Sequence, residues 1–145
     1  MKRLVLILAM IASMGISSFA NETKIAPAAL NYFNNSFKSA VQVEWFAGEN
    51  YYKANFVQDG QYLTAFFDAN GEFLAVSRHI SALQLSVELQ ASLKKIQGEF
   101  WITGLFEVAE ETGTTYYLTL ENADSRLVYK SSGSTWSQYQ KLSKS

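Results

Sequence analysis

The sequence predicts an α+β fold: an antiparallel sheet built from two tandem helix-plus-four-strand repeats, with both helices packed on one face. Three observations predict it. Apolar and polar residues alternate over eight short segments, and Gly-containing turns join most of them as hairpins. Two other segments place apolar residues at helical spacing. The two halves of the sequence can also be aligned by their pattern, and in that alignment Tyr52 corresponds to Tyr116 and Leu63 to Leu127.

A leader precedes this domain. Lys2 and Arg3 are followed by an apolar run over residues 4–16, and Ser18 and Ala20 place small residues at the −3 and −1 positions of a cleavage site. That order is typical of a secretory signal peptide. The run is shorter than the about 20 residues of a membrane-spanning helix, although retention as an anchor is the alternative. We expect cleavage after Ala20, residence in the periplasm or the medium, and no stable membrane insertion afterwards.

Residues 21–145 are then a single domain, with repeat one over about 28–80 and repeat two over about 81–142. The formal net charge of −1 and the lack of a basic block argue against a nucleic-acid partner. The chain has no cysteine, which excludes thiol catalysis, disulfides and Cys-based metal sites. Eight Tyr and ten Phe favour strands, where rings pack well.

The first repeat begins with a helix. Pro27 suits a first helical position, and Leu30, Phe33 and Phe37 recur at helical spacing, which predicts a helix over 28–38. Four strands follow, at 41–45, 51–58, 61–68 and 72–79.

Two turns punctuate these strands. Asp59-Gly60 is a strong type I′ hairpin signal, because both central positions need positive φ. Asp68, Asn70 and Glu72 alternate like the ligands of a calcium loop, but the twelve-residue frame is missing. We therefore interpret residues 68–71 as a turn.

The second repeat begins with Ser81 and Gln84 at capping-box spacing. A helical stripe follows, and Gly98 ends it; the stripe consists of Leu85, Leu89, Leu93 and Ile96. Strands are predicted at about 100–109, 115–121, 125–131 and 135–142. The last is polar, so it is either a blunted edge or an acceptor for a partner's strand. A cone or barrel is the alternative fold, and the second helical stripe argues against it.

Alternation assigns the aromatic rings to faces. Trp45, Tyr52, Phe56 and Phe67 are expected in the core. Two short helices leave the other face open, and a one-residue error would exchange the two sets. Because Tyr and Trp dominate interface hot spots, the rings on that open face predict a partner-binding surface. These rings are Tyr51, Tyr62, Phe66, Trp101 and Tyr117.

Residues in the first repeat resemble the PepSY-like family of exported bacterial proteins, also described as β-lactamase-inhibitor-like. The resemblance covers 33–80 best and is weaker over 85–142. It implies a fold like that of the β-lactamase inhibitory protein, with tandem helix-plus-sheet repeats and a concave sheet. The residues that carry it are Phe37, Val43, Trp45, Tyr52, Ala54, Phe56, Asp59-Gly60, Ala65, Phe67-Asp68 and Asn70-Gly71.

We expect no catalytic residue, no cofactor and no metal. His79 is the only histidine, and no G-x-S-x-G elbow supplies a nucleophile. Glu107, Glu110 and Glu111 indicate a solvated acidic turn rather than a glycosidase pair.

The sequence thus predicts a non-enzymatic binding module for an unidentified protein or peptide of the cell envelope or medium, with enzyme inhibition as one form. The alternative is a small-ligand carrier, with a pocket lined by Phe33, Phe37 and Leu89.

Overall fold

The structure, a computed structural model, describes residues 18–19 and 24–144. Apart from residues 18 and 19, the predicted signal peptide lies outside the described residues. The chain divides into two compact units, the first ending at Ser77 and the second beginning at Arg78. Each unit is described by itself.

The described residues of the first unit contain one α-helix and antiparallel strands that pair in chain order. The elements are β1 (Ser18–Phe19), α1 (Pro27–Ser36), β2 (Val41–Ala47), β3 (Tyr51–Gln58), β4 (Gln61–Asp68) and β5 (Phe73–His79), whose last two residues belong to the second unit.

Helix α1 buries the first core against one face of these strands. Its Ala29 and Phe33 are 0% and 4% exposed. The Phe33 ring meets the rings of Trp45 and Phe56 edge-on, with centroids 5.3 and 5.0 Å apart. Ala54 pairs with Ala65 in the middle of this face, and their small side chains leave room for the helix.

Both turns predicted in this unit are confirmed. Asp59 and Gly60 have φ of 52° and 78°, as a type I′ hairpin requires. The Asp68 Oδ1 atom accepts hydrogen bonds from the backbone N–H groups of Asn70 (2.9 Å) and Glu72 (3.0 Å). That carboxylate therefore holds a turn.

The second unit contains the end of β5, one α-helix and four further antiparallel strands among its described residues. The Ile80 N–H donates to the Leu105 carbonyl oxygen (3.1 Å), which joins the segment after β5 to β6. The elements are a 3₁₀ turn (Ala82–Gln84), α2 (Val87–Gln97), β6 (Trp101–Glu110), β7 (Gly113–Glu121), β8 (Ser125–Ser131) and β9 (Ser137–Ser143).

The predicted capping box closes the 3₁₀ turn and does not begin α2. The Ser81 N–H donates to Gln84 Oε1 (2.8 Å), and the extended backbone of Leu85 then interrupts the helical path. Helix α2 instead begins after Ser86, whose hydroxyl accepts from the Leu89 N–H (3.2 Å). Ser81 and Ser86 both suit the position before a helix, so local sequence alone did not distinguish them.

Helix α2 buries the second core. Leu89 and Leu93 pack with the side chains of Leu105 and Leu118, all nearly inaccessible to solvent. Trp136, which sequence placed in the last strand, lies in this core, and its indole N–H donates to the Leu89 carbonyl oxygen (3.1 Å). The strand β9 therefore starts only at Ser137.

Gly71 offers a test of how the turn after β4 supports α1. Gly71 has φ of +85°, and a Cβ there would lie 2.9 Å from the Ala29 backbone nitrogen. Gly60 has φ of +78° but open space around it. We expect Gly60→Ala to lower the free energy of unfolding by about 1 kcal/mol, and Gly71→Ala by about 2 to 3 kcal/mol, because backbone must also shift. If urea unfolding gives the two variants equal losses of unfolding free energy, the contact between a Cβ at position 71 and the Ala29 backbone is relieved at no cost.

Candidate functional site

The candidate site consists of the sheet face that points away from the helix in each unit, which we call the far face. Tyr52, Ala54 and Phe56 pack beneath α1, so the alternate residues of β3 point to the first far face. Leu118 and Leu120 pack beneath α2, so the alternate residues of β7 point to the second far face.

A lysine lies between two aromatic rings on the first far face. Phe46, Lys53 and Phe66 are direct neighbours across β2, β3 and β4. The Lys53 Nζ atom lies 5.3 Å from the centroid of the Phe46 ring, a cation–π distance. A lysine stem commonly covers apolar surface while its ammonium stays in water, and Phe66 is only 3% exposed.

Two tyrosines of the first far face differ in exposure. Tyr62 is 80% exposed near the start of β4. The ring of Tyr51 lies over Gly48, where a Cβ would collide with it, and the Gly48 N–H donates to the Tyr51 carbonyl oxygen (2.8 Å). Tyr51 is therefore half-buried by its own hairpin turn.

The second far face carries a row of rings that ends in another lysine–ring contact. The rings of His79 and Phe106 are in contact, with centroids 4.0 Å apart and planes tilted by 43°. Phe106, Tyr117 and Lys130 are direct neighbours across β6, β7 and β8. The Lys130 Nζ atom lies 5.1 Å from the centroid of the Tyr139 ring on β9.

Tyr117 stays neutral in the middle of this row. Desolvation, with smaller contributions in the same direction from Glu110 and Tyr139, raises the pKa of its phenol to about 12. The ring is 3% exposed, so its role within the described structure is packing.

An exposed tryptophan lies beside a charged cluster on the second far face. Trp101 is 65% exposed and pairs with Glu121. A hydrogen bond from Thr103, and then those from Arg126 and Lys144, lower the pKa of the Glu121 carboxyl to about 2. The Arg126 Nε and Lys144 Nζ atoms lie 3.0 and 3.1 Å from Glu121 Oε1.

All five rings predicted for the open face point away from the helix of their own unit. Tyr62 and Trp101 are exposed as expected. The expectation of exposure is wrong for Phe66 and Tyr117, each 3% exposed. Both lie on interior strands, where neighbours on two sides cover a ring even without a helix above it. Their role in binding stays a prediction.

Sequence reasoning missed the lysines of the far faces. Lys53 lies between Tyr52 and Ala54, and Lys130 follows Tyr129; in each case the adjacent residue packs in the core. The same alternation that placed the rings therefore contained the signal for both lysines.

The residues proposed for a ligand pocket pack in the cores. The ring centroid of Phe37 lies 5.3 Å from that of Phe33 and 4.9 Å from that of Phe56 in the first unit. Leu89 is 1% exposed in the second core. Packing between side chains explains their burial.

The acidic residues near the β6–β7 turn do not share one face. Glu107 receives hydrogen bonds from Arg78 Nε (3.0 Å) and Nη2 (3.2 Å), and this bond raises the pKa of the Arg78 guanidinium. Glu110 is three residues further along the same strand and so points to the opposite face. Within residues 18–19 and 24–144, no three acidic, histidine or cysteine side chains come close enough to hold a metal ion.

Several solved structures from Bacteroides species are similar to this chain in fold. A BLIP-like (β-lactamase inhibitory protein-like) protein from Bacteroides fragilis has a TM-score of 0.68 at 16% identity, over 82% of this chain and 86% of that one. A DUF2874 family protein from Bacteroides ovatus has a TM-score of 0.72 at 14% identity, over 83% and 88%. A protein from Bacteroides eggerthii, described as a putative periplasmic protein, has a TM-score of 0.70 at 10% identity, over 82% and 88%.

These likenesses show the fold, which is BLIP-like and α+β: an antiparallel sheet with two helices. No protein-family model matches the sequence, and no curated protein sequence matches it. Among the residues that the structure describes, no helix has the length and apolar character needed to span a membrane.

The charged cluster at Glu121 predicts an acid-dependent stability. Its carboxyl has a lower pKa in the folded chain than the ordinary value of 4.5, so its contribution is present above that value and is lost as the pH falls towards about 2. Arg126 is half exposed and solvent screens the pair, so we expect a loss of about 1 kcal/mol across this window.

Urea unfolding of the wild type and of Glu121→Gln measures this loss. The free energy of unfolding is determined for each protein at several pH values from neutral pH down to the lowered pKa of about 2. The difference in unfolding free energy between the two proteins should shrink as the pH falls. Glu111→Gln, in the exposed β6–β7 turn, is the matched control and should run parallel to the wild type. A constant difference for Glu121→Gln would contradict the assignment.

Proposed function

We propose that the protein is an exported, non-enzymatic binding module of the PepSY-like type, which recognises a protein or peptide through its far faces. The observation that carries this proposal is an exposed ring on each face, Tyr62 in the first unit and Trp101 in the second, on faces that also carry a lysine–ring contact. Recognition of an enzyme, and hence inhibition, is one form that such binding takes.

The energetics favour a protein partner. A Tyr or Trp side chain buries about 150 to 250 Å² on contact, and about 25 cal/mol is gained for each Å² of apolar surface buried. Tyr62 on the first far face and Trp101 on the second each therefore offer a few kcal/mol to a partner that buries them.

Two features support export and residence in the periplasm or medium. The first is the order of the leader: Lys2 and Arg3, an apolar run, then Ser18 and Ala20. The second is the periplasmic description of the structural neighbour from Bacteroides eggerthii.

Capture from envelope and culture fractions tests the binding face. Residues 21–145 serve as bait, compared with Tyr62→Ala and Trp101→Ala. We expect a captured protein to lose at least tenfold in affinity to one of these variants, equivalent to about 1.4 kcal/mol. Leu83→Ala is the matched control, because Leu83 is 84% exposed but lies in the 3₁₀ turn rather than on a far face.

If the affinity of a partner falls equally with Leu83→Ala and with the two far-face variants, the far faces are not its binding surface. So would a partner that none of the three changes affects. Circular dichroism of each variant ensures that lost binding reflects the surface and not unfolding.

Export is tested by the mass of the secreted chain. Expression of the full sequence in a Gram-negative host should give a periplasmic or secreted form whose N-terminal residue is Asn21. Replacing Ala20 with Asp should block processing, because the −1 position takes a small residue. Recovery of the chain with residues 1–20 intact would refute the proposed cleavage.

A further inference from the structure

The last strand, β9, forms an edge of the sheet in the second unit. It pairs with β8 along one side, and in the part of the chain that the structure describes no strand pairs with its other side. Every residue of β9 is exposed except Tyr139, which is partly buried. The outer edge of β9 is therefore accessible to another chain.

Both ends of β9 are anchored to the rest of the second unit. Just before the strand, Trp136 lies in the second core and its indole N–H donates to the Leu89 carbonyl oxygen. Just after it, the Lys144 N–H donates to the Asp124 carbonyl oxygen (2.8 Å), and the Lys144 Nζ atom donates to that of Asn122 (2.9 Å). A strand that pairs with this edge therefore meets a backbone that is already ordered, which lowers the entropy cost of binding.

The hydrogen-bond pattern determines which backbone groups of β9 face outwards. In an antiparallel pair, successive residues alternately direct their N–H and C=O groups towards the partner strand and away from it. Lys144 and Asp124 continue the pairing of β9 with β8, and their hydrogen bond sets this alternation. Leu142 therefore directs its N–H and C=O groups to β8, whereas Lys141 and Ser143 direct theirs to the open edge.

The β8–β9 edge is positively charged. Residues 125–145 contain four basic residues and no acidic residue. Glu121 on β7 pairs with Arg126 and Lys144, and even with Asp124 of the preceding turn counted the edge keeps a positive excess. None of the ion pairs in the described part of the chain includes Lys141. Its ammonium is therefore available to a carboxylate of a partner.

We infer that residues 140–143 of β9 are a strand-addition site for an extended acidic segment of a partner protein, which runs antiparallel to β9. The register of β8 against β9 shifts between Val128 and Tyr129, and because bulges commonly end pairing, this shift bounds the site. The outward N–H and C=O groups supply the affinity, and alternate side chains supply the specificity. The site is separate from the far faces and does not depend on them.

Lys141 selects the sequence of the added strand. Its side chain lies on the same side of the sheet as that of Leu127, which is opposite it in the register. An Asp or Glu of the added strand opposite Lys141 forms a favourable cross-strand pair on that side. The next residue of the added strand lies opposite Leu142, which is 42% exposed, and should be apolar.

The same lysine disfavours pairing with a second copy of this chain. Two β9 strands paired antiparallel through their outward groups would bring both Lys141 side chains to one side of the sheet. Like charges on neighbouring strands repel each other, and such repulsion is a common means of excluding the wrong partner. The charge of the edge therefore favours an acidic segment over self-association.

Two labelled heptapeptides test the charge selection by fluorescence anisotropy. Both carry valine at odd positions; one has glutamate and the other lysine at even positions. The protein is residues 21–145, which keep every residue of the two cores. We expect the glutamate peptide to bind at least tenfold more tightly than the lysine peptide, equivalent to about 1.4 kcal/mol.

Charge reversal in the protein provides a matched pair of variants. Lys141→Glu should weaken binding of the glutamate peptide at least tenfold. Lys38→Glu, at an exposed lysine of the first unit, makes the same change in net charge and should leave the affinity unchanged. Equal weakening by the two variants, equal affinity for the two peptides, or no binding of either peptide would overturn the inference.

Methylation of peptide nitrogens separates strand pairing from charge attraction. In the proposed register the N–H groups of the glutamates point towards β9 and those of the valines point away. N-methylation of the glutamates should therefore abolish binding, and N-methylation of the inner valines should preserve it. If the peptide with methylated glutamates still binds, the attraction is one of charge alone and β9 is not a strand-addition site.

Hydrogen exchange locates the bound peptide. In the free protein the amides of Lys141 and Ser143 should exchange faster than that of Leu142, and saturating glutamate peptide should slow those two at least tenfold. Slow exchange of both in the free protein would mean that a second copy already pairs with the edge, and unchanged exchange would place the peptide elsewhere; either result overturns the inference. Trp101→Ala should bind the peptide normally, so a failure of this edge is distinguishable from a failure of the far faces.

Discussion

The structure depends on one constraint: in each unit a single short helix covers the strands. Helices α1 and α2 have ten and eleven residues, which makes each about 15 Å long. Four strands side by side span a similar width of about 15 to 20 Å, so one helix covers one face of its unit and no more. That face takes the large apolar residues. Small residues such as Ala54 and Ala65 leave space for the helix.

The uncovered face must then be made compatible with water by the strands themselves. Long side chains contribute to this in both units, because the ammonium groups of Lys53 and Lys130 lie 5.3 and 5.1 Å from the centroids of aromatic rings. Phe66 and Tyr117 are buried although they point away from the helices, because both lie on interior strands with neighbours on two sides. A face built in this way presents aromatic rings, in which protein recognition sites are enriched.

Local chemistry decided which parts of this structure the sequence could predict. The bounds of β3 and β4 follow from Asp59-Gly60, because a two-residue turn fixes the pairing on both sides, and alternation then assigned every predicted ring to its correct side. Exposure was harder, since it depends on neighbours from other strands. The predicted start of α2 was wrong because Ser81 and Ser86 both suit the position before a helix. Trp136 was wrongly placed in the last strand, because only the tertiary fold brings its indole to the Leu89 carbonyl oxygen.

The three tryptophans of the chain report on three different environments. Trp45 lies in the first core at 4% exposure and Trp136 in the second at 8%, whereas Trp101 is 65% exposed. Iodide or acrylamide should therefore quench the fluorescence of Trp101 and leave that of Trp45 and Trp136 largely unchanged. Without any label, the protein thus carries one optical probe for each core and one for its surface, and single Trp→Phe replacements separate their spectra.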